Sequence, residues 1–242
     1  MSTAVAVVGS TGRMGRLVTQ IISESEEYDV HARIGRQDSL DQLEGADVVI
    51  DVSVPAASPQ VVTAALDRGI PIVVGTSGWT NERLAPFASR IAADPTLTAL
   101  FIPNFSLGSA LATRFAELAA PHFESIEIVE AHHAAKTDSP SGTAIRTAEL
   151  IGAARAELGP VAAPHADQRA RGQQVASVPV HSLRMSGVSA RQEVVLGGSG
   201  ETVRIIHETL SDESYEPGIL LSLREATNRT GLVVGLGALL GL

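Results

Sequence analysis

The sequence predicts an α/β protein with a doubly wound parallel sheet and a second, α+β domain. Up to residue 106, short runs rich in β-branched residues alternate with stretches of helical periodicity. This alternation is typical of strand–helix–strand units with right-handed crossovers. Beyond residue 177, three strand-like segments follow one another without helices between them. That order favours a mixed or antiparallel sheet.

The first part of the chain contains five predicted strands. They are residues 4–8, 28–34, 47–53, 71–77 and 97–106. Residues 13–25 have helical spacing, because one face collects Met14, Leu17, Val18, Ile21 and Ile22. Further helices are expected near residues 58–67 and 81–93.

The second part of the chain mixes helices and strands. Helices are expected at 107–123 and 141–158, strands at 125–133, 178–185, 189–197 and 201–210, and a loop rich in Pro, Gly and Ala at 159–174. A helix at 217–227 and a strand at 231–236 follow. We therefore expect a dinucleotide-binding domain at 1–104, to which 215–242 returns, and a second domain at 105–214.

Composition and charge exclude several functions. The net charge of −9 argues against nucleic acid as a partner, because phosphate binding needs a basic surface. No cysteine is present, which excludes disulfides and thiolate chemistry. Neither a signal peptide nor a bilayer-spanning segment is recognisable, so no membrane partner is expected and a soluble cytoplasmic protein is predicted.

A glycine-rich loop lies between the first strand and its helix. In "VVGSTGRMG" the glycines are Gly9, Gly12 and Gly15. A tight turn, a close approach to a pyrophosphate and a helix N-terminus aimed at it all favour glycine there, as in Rossmann-like domains. The spacing is looser than G-x-G-x-x-G, and the alternative is a glycine turn without a ligand.

The end of the second strand bears on the choice of nicotinamide cofactor. NAD-dependent enzymes usually carry an acidic residue there, whereas this sequence has Gly35 followed by Arg36. A guanidinium accepts a 2′-phosphate, so we expect NADPH to be used at least as well as NADH. The alternative is a solvated surface arginine.

Two further loops follow predicted strands of the parallel sheet. Gly75, Thr76 and Ser77 end the fourth strand, and Asn104 ends the fifth. Ligands of open parallel sheets bind at the carboxyl ends of the strands, so these loops should line the nicotinamide half of the crevice. Ordinary loop chemistry remains the alternative.

The stretch "EAHHAAKTDSPSGTA" collects cationic and N–H-donating groups. His132 and His133 point to opposite sides of a strand and lack a further close ligand, so no metal site is predicted. Lys136 follows, and Ser141, Gly142 and Thr143 begin a helix whose free N–H groups bind anions. The cluster predicts a receptor for carboxylates, with histidine able to deliver a proton.

This stretch resembles the signature of 4-hydroxy-tetrahydrodipicolinate reductases (dihydrodipicolinate reductases), E-x-H-H-x-x-K-x-D-x-P-S-G-T-A. "VVGSTGRMG", "VVGTSGW", "PNFSLG" and "RMSGVSARQEVVLGGSGETVRIIH" resemble further blocks of that family, in the same order. The resemblance covers nearly the whole chain. The short length of the chain is similar to that of the family's actinobacterial branch.

The resemblance implies a cytoplasmic homotetramer of the diaminopimelate and lysine pathway. Such an enzyme reduces a cyclic dicarboxylate with NADPH or NADH, and 105–214 would be its substrate-binding and tetramerisation domain. By the motif, His132 matches the proton donor/acceptor, Lys136 the proton donor and His133 a substrate-binding residue, and Gly142 and Thr143 hold a carboxylate. The positions that match cofactor contacts are Gly9, Ser10, Thr11, Gly12, Arg13, Met14, Arg36, Gly75, Thr76, Ser77, Ile102, Pro103, Asn104 and Phe105.

Three positions depart from the family pattern. Gly35 replaces the usual acidic residue, Ser77 stands where a threonine is common, and Asp212 and Glu213 stand where relatives often carry arginine. A reductase of another small carboxylate is one alternative function. A dinucleotide-binding redox sensor is another, although a sensor would not need the His-His-Lys cluster.

Overall fold

The structure is a computed structural model that describes residues 2–242. The strands are β1 (Thr3–Val8), β2 (Tyr28–Ile34), β3 (Val48–Asp51), β4 (Ile72–Val74), β5 (Thr98–Phe101), β6 (Ser125–His132), β7 (Gln173–Val175), β8 (Val178–Arg184), β9 (Ala190–Gly198), β10 (Glu201–Thr209) and β11 (Gly231–Val234). The α-helices are α1 (Arg13–Glu24), α2 (Ser58–Asp67), α3 (Asn81–Ala93), α4 (Leu107–Ala119), α5 (Gly142–Ala154), α6 (Glu216–Asn228) and α7 (Leu236–Leu239).

The chain divides into two compact units. Unit 1 comprises residues 2–107 and Tyr215–Leu242, and unit 2 comprises Gly108–Ser214. No helix among residues 2–242 has the length and apolar character needed to cross a membrane.

Unit 1 contains a six-stranded sheet in the order β11-β5-β4-β3-β1-β2. Every neighbouring pair in it is parallel. Helices α2 and α3 pack on one face, and α1 and α6 contact each other and the strands on the other. The predicted doubly wound parallel sheet is confirmed. Strand β1 lies between β2 and β3, so the strand order reverses at β1. Sheets of this kind bind dinucleotides at this reversal.

The sheet of unit 1 is covered on both faces, which explains its apolar sequence. All four residues of β3 are buried, and so are all four of β5. Strands buried on both faces read as continuous apolar runs, because neither side of the pleat meets water. Helix α1 adds Val18 and Ile22, which are fully buried.

Unit 2 contains a five-stranded mixed sheet in the order β10-β9-β6-β8-β7. The central strand β6 runs parallel to β8 and antiparallel to β9. Ala148 and Ile151 of α5 pack against Ile126 and Ile128 of β6 to form its core. The predicted α+β domain on a mixed sheet is confirmed.

One strand lies where the sequence predicted a loop. Strand β7 overlaps the last two residues of the expected loop 159–174, extends one residue beyond it and pairs antiparallel with β8. Two residues connect the strands, Ala176 and Ser177, with φ of 47° and 71°. Such hairpin turns usually carry glycine or asparagine. Alanine and serine gave no turn signal here, so the sequence did not reveal the hairpin.

Candidate active site

The glycine loop is packed too closely for side chains. A Cβ on Gly9 would lie 2.7 Å from Ser53 Cα, and one on Gly15 would lie 2.0 Å from the carbonyl oxygen of Gly9. Gly9 also has φ +86°, a left-handed conformation that favours glycine. Gly12 is the residue before α1 and, being glycine, has no side chain to cap the first turn of the helix. A helix N-terminus of this kind suits an anion such as a pyrophosphate.

The other residues predicted to contact a cofactor follow the carboxyl ends of parallel strands, at one edge of the sheet. Thr11, Arg13, Arg36, Ser77 and Pro103 are exposed there, Ser10, Met14, Gly75 and Asn104 are partly buried, and Thr76, Ile102 and Phe105 are buried. The Phe105 ring fills the space beside Gly75, where a Cβ would lie 2.5 Å from it. Phe105 therefore contributes to packing.

A buried aspartate joins the loops after β3 and β4. Asp51 at the end of β3 is fully buried, and its carboxylate accepts hydrogen bonds from the Ser53 amide (3.0 Å), the Ser53 hydroxyl (2.5 Å) and the Ser58 hydroxyl. Its carbonyl accepts from the amides of Gly75 (2.8 Å) and Thr76 (3.2 Å). These bonds fix the loop 75–77 against the strand beside it.

An acidic side chain that the sequence analysis missed lies after β2. The Asp38 carboxylate accepts a hydrogen bond from the Gly35 amide at 2.7 Å. A Cβ on Gly35 would lie 3.3 Å from Asp38 Oδ2 and 3.4 Å from the methyl group of Thr11. The Asp38 carboxylate therefore lies beside Gly35, at the end of β2, where the sequence pattern had shown no acidic residue. An aspartate three residues after Gly35 was the signal that could have predicted it.

In unit 2, His132 ends β6 and is held by Glu130. Residues two apart in a strand share a face, and His132 Nδ1 lies 2.6 Å from Glu130 Oε2. A carboxylate only accepts, so Nδ1 donates this bond. The other ring nitrogen, Nε2, is thereby left to accept or donate a proton.

Glu130 is fully buried and ionised. Arg184 donates to both of its oxygens, at 2.9 and 2.8 Å, and the Ser141 amide donates at 3.2 Å. Burial by itself raises the pKa of the Glu130 carboxyl. Hydrogen bonds from His132, Arg184 and Ser182, with the Arg184 charge, outweigh burial and lower the pKa to about 2.

The loop after β6 presents the remaining cationic groups. Lys136 Nζ lies 2.8 Å from Asp138 Oδ1, and the Lys136 amide donates to the His133 carbonyl at 3.1 Å. The His133 side chain is exposed. Lys136 is thus near His132 in sequence and is paired with the Asp138 carboxylate. An anionic ligand would compete with this carboxylate for the Lys136 ammonium group.

Helix α5 begins where this loop ends. The Ser141 hydroxyl accepts a hydrogen bond from the Ala144 amide at 3.2 Å and so caps the helix. Gly142 and Thr143 form the first turn, and a Cβ on Gly142 would meet nothing within 4 Å. Open space in front of a helix N-terminus suits a carboxylate.

Two residues of this site were not predicted as site residues. Glu130 could have been found from the two-residue period of the strand, which places it beside His132. Arg184 could not have been found, because only the parallel pairing of β6 with β8 places it beside these residues.

The low pKa of Glu130 predicts an acid-sensitive contribution to stability. A depressed folded-state pKa contributes fully above the ordinary value of 4.5 and is lost as pH falls towards about 2. The shift corresponds to about 3 kcal/mol. Glu130→Gln should therefore show a weaker fall in unfolding free energy over this range than wild type, by urea titration. Parallel curves for the two proteins would contradict this.

The sequence profile described as "Dihydrodipicolinate reductase, N-terminus" matches residues 3–105, and that described as "Dihydrodipicolinate reductase, C-terminus" matches residues 108–240. The chain belongs to the dihydrodipicolinate reductase family. The predicted family resemblance is confirmed. Members of the dihydrodipicolinate reductase family are oxidoreductases of lysine and diaminopimelate biosynthesis that use NAD(P)H.

Individual dihydrodipicolinate reductases match over the whole chain. The 4-hydroxy-tetrahydrodipicolinate reductase of Clavibacter michiganensis subsp. michiganensis is 55% identical over 242 residues, covering 100% of this chain and 87% of that protein. That of Streptomyces griseus subsp. griseus is 45% identical, covering 98% of each. The dipicolinate-bound dihydrodipicolinate reductase of Paenisporosarcina sp. TG-14 superposes with a TM-score of 0.83 at 27% identity, covering 98% of this chain and 99% of that one.

Proposed function

We propose that this chain reduces 4-hydroxy-tetrahydrodipicolinate to tetrahydrodipicolinate, with His132 and Lys136 as proton donors. The observation that carries this proposal is the His132 imidazole, whose Nδ1 is held by the buried Glu130 carboxylate in the same strand. Membership of the family supports the reaction. The dipicolinate in the Paenisporosarcina relative, itself a cyclic dicarboxylate, supports the substrate class.

The proton step follows from the charge that the reduction creates. The 4-hydroxyl group of the substrate leaves as water, which gives a conjugated ring, and NAD(P)H, when bound, would supply a hydride to that ring. Negative charge then develops on the ring, and a positioned acid offsets it by donating a proton. Both His132 Nε2 and Lys136 Nζ are suited to this, because each is cationic when protonated.

Substrate carboxylates would bind at the start of α5. Gly142 and Thr143 offer first-turn N–H groups, and His133 and Lys136 add positive charge. Ser141 caps the helix and so fixes the direction of these groups. This local positive field is needed because the whole chain carries a net charge of −9.

The cofactor would bind to unit 1. Gly9, Gly12 and the first turn of α1 suit its pyrophosphate, and the loops at 75–77 and 102–105 would contact the nicotinamide half. Arg36 remains our choice for a 2′-phosphate, so NADPH is expected to be used at least as well as NADH. A tenfold preference for NADH would contradict that expectation.

Arg36 and Asp38 are expected to act in opposite directions on cofactor choice. Arg36→Ala should lower kcat/KM for NADPH about 10-fold and leave that for NADH nearly unchanged, because only a phosphate needs the guanidinium. Asp38→Asn should raise the NADPH-to-NADH ratio, because a carboxylate accepts ribose hydroxyls and repels phosphate. Initial rates with both cofactors measure this. An unchanged ratio in both variants would place these residues outside the cofactor site.

The oligomer is proposed to be a homotetramer built by unit 2, on the family resemblance. Apolar side chains on its sheet support an interface, since Leu183 and Ile206 are 48% and 52% exposed. Light scattering of the purified protein tests whether its mass is that of a homotetramer.

The reaction is tested by following the loss of reduced-nicotinamide absorbance with enzymatically generated substrate and each cofactor. Rapid turnover is the expected result. Turnover of a different small carboxylate would indicate altered substrate specificity. Tight NADPH binding without turnover of any dicarboxylate would instead indicate a redox sensor.

A further inference from the structure

Arg184 contacts both the strand and the loop that carry the proposed proton donors. Its guanidinium donates to both oxygens of Glu130 on β6, at 2.9 and 2.8 Å. The same group donates to the Asp138 carbonyl at 2.6 Å. Only 17% of its side chain is exposed, so these bonds are shielded from water.

We propose that Glu130 and Arg184 are positioning residues for the reduction. Glu130 holds the His132 imidazole through Nδ1, which leaves Nε2 for proton transfer, and Arg184 fixes Glu130 together with the loop that carries Lys136. This inference rests on the proposed function, because it takes His132 and Lys136 as the proton donors.

The carboxylate selects one tautomer of His132. Glu130 Oε2 accepts from Nδ1, so a neutral His132 keeps its proton on Nδ1 and presents an unprotonated Nε2. Nε2 is therefore the ring nitrogen that is left to exchange a proton with the substrate.

Arg184 keeps that carboxylate ionised. A buried carboxylate without a cation would tend to take the proton from the imidazole, because burial disfavours its charged form. The two parallel hydrogen bonds from Arg184 oppose this. They also explain why arginine is suited to this position of β8, since lysine cannot form a planar fork.

Arg184 also determines where Lys136 lies. The Asp138 carbonyl is bound by Arg184, and the Asp138 carboxylate is 2.8 Å from Lys136 Nζ. One guanidinium thus connects the end of β6 to the loop residue that pairs with Lys136.

Few other charged groups face the Glu130–His132 pair. On β9 the neutral Gln192 pairs with Glu130, and beyond it on β10 burial lowers the pKa of His207, which favours its uncharged form. On this face of the sheet the charged or titratable side chains of the neighbouring strands are Arg184 and His207, and Lys136 and Asp138 lie in the loop after β6. Arg191 and Glu193 of β9 lie on the opposite face, because side chains alternate along a strand. A change in the His132 tautomer after substitution of Glu130 can therefore be assigned to the pair.

The test compares Glu130→Gln with Glu127→Gln. Glu127 is a matched control on the same strand, because it also binds an arginine and a histidine, Arg171 and His181, at 2.6 and 2.7 Å. Glu130→Gln should lower kcat about 10-fold to 100-fold with KM for the dicarboxylate nearly unchanged. Glu127→Gln should retain wild-type values.

A second measurement separates this inference from the proposed function. Nitrogen NMR of the ligand-free protein, assigned with a His132→Asn variant, reports the His132 tautomer without any turnover. The expected wild-type form carries hydrogen on Nδ1, and Glu130→Gln should increase the Nε2-protonated form. Wild-type His132 protonated on Nε2 alone when neutral would overturn the inference, even if the enzyme is active. An inactive wild type with the expected tautomer would overturn the proposed function instead.

Glu130→Asp covers the case in which Glu130→Gln does not fold. It retains the charge but ends one methylene short of His132. It should therefore lower kcat, with KM for the dicarboxylate nearly unchanged. A Glu130→Asp protein with wild-type kcat would contradict the positioning role.

Discussion

Replacing His132 with alanine is expected to lower kcat at least about 100-fold, because general acid catalysis contributes on that scale. The fold should survive, since the imidazole is partly exposed at the end of β6. Lys136→Ala should have a similar effect on kcat and also raise KM, because Lys136 is proposed to bind a substrate carboxylate. Steady-state kinetics with saturating cofactor, together with circular dichroism, measures both.

His122→Ala is the matched control for this prediction. His122 is an exposed histidine of the same unit, in a short 3₁₀ turn after α4. Its replacement should leave kcat and KM unchanged. Wild-type kcat in a well-folded His132→Ala protein would remove His132 from the mechanism and make Lys136 the sole proposed donor.

Gly15→Ala is expected to abolish measurable dinucleotide binding. The new Cβ would lie 2.0 Å from the Gly9 carbonyl oxygen and 2.6 Å from Ser10 Cα, and both are backbone atoms that cannot turn aside. Either the glycine loop or α1 must shift. A shift should weaken NADPH binding at least about 100-fold and cost about 1–3 kcal/mol of stability. Calorimetric titration and thermal unfolding measure the two effects.

Gly237→Ala is a suitable control in the same unit. Its Cβ would make only an ordinary contact, 3.9 Å from Leu242 Cβ, and helices favour alanine over glycine. This variant should bind NADPH like wild type. Equal binding by Gly15→Ala would show that the glycine loop does not hold the cofactor.

Much of the fold was predictable because its strands and helices carry strong local patterns. Strands buried on both faces, such as β3 and β5, consist mainly of apolar residues, and α1 has one apolar face. Strand ends were less predictable. The predicted strand 97–106 stops at Phe101, since the following residues form a loop at the sheet edge. Strand β7 was missed because its hairpin turn uses alanine and serine in left-handed conformations.

The candidate site was predictable only where its residues are close in sequence. His132, Lys136 and Ser141 lie within one short stretch, and a helix cap and a strand end could be recognised there. The contact between Glu130 and Arg184 spans 54 positions and depends on the register of two parallel strands. Asp38 was missed for another reason, because its side chain folds back on Gly35. Neither contact leaves a periodic signal.

The position of β11 has a consequence for synthesis on the ribosome. This strand pairs with β5, although the whole of unit 2 is translated between them. When Phe101 leaves the exit tunnel, one side of β5 has no strand to bond with, and it stays bare until residues 231–234 emerge. Unit 2, made from one continuous stretch, can fold in the interval, as domains do during translation. Until then, the exposed edge of β5 is prone to pair with a neighbouring polypeptide.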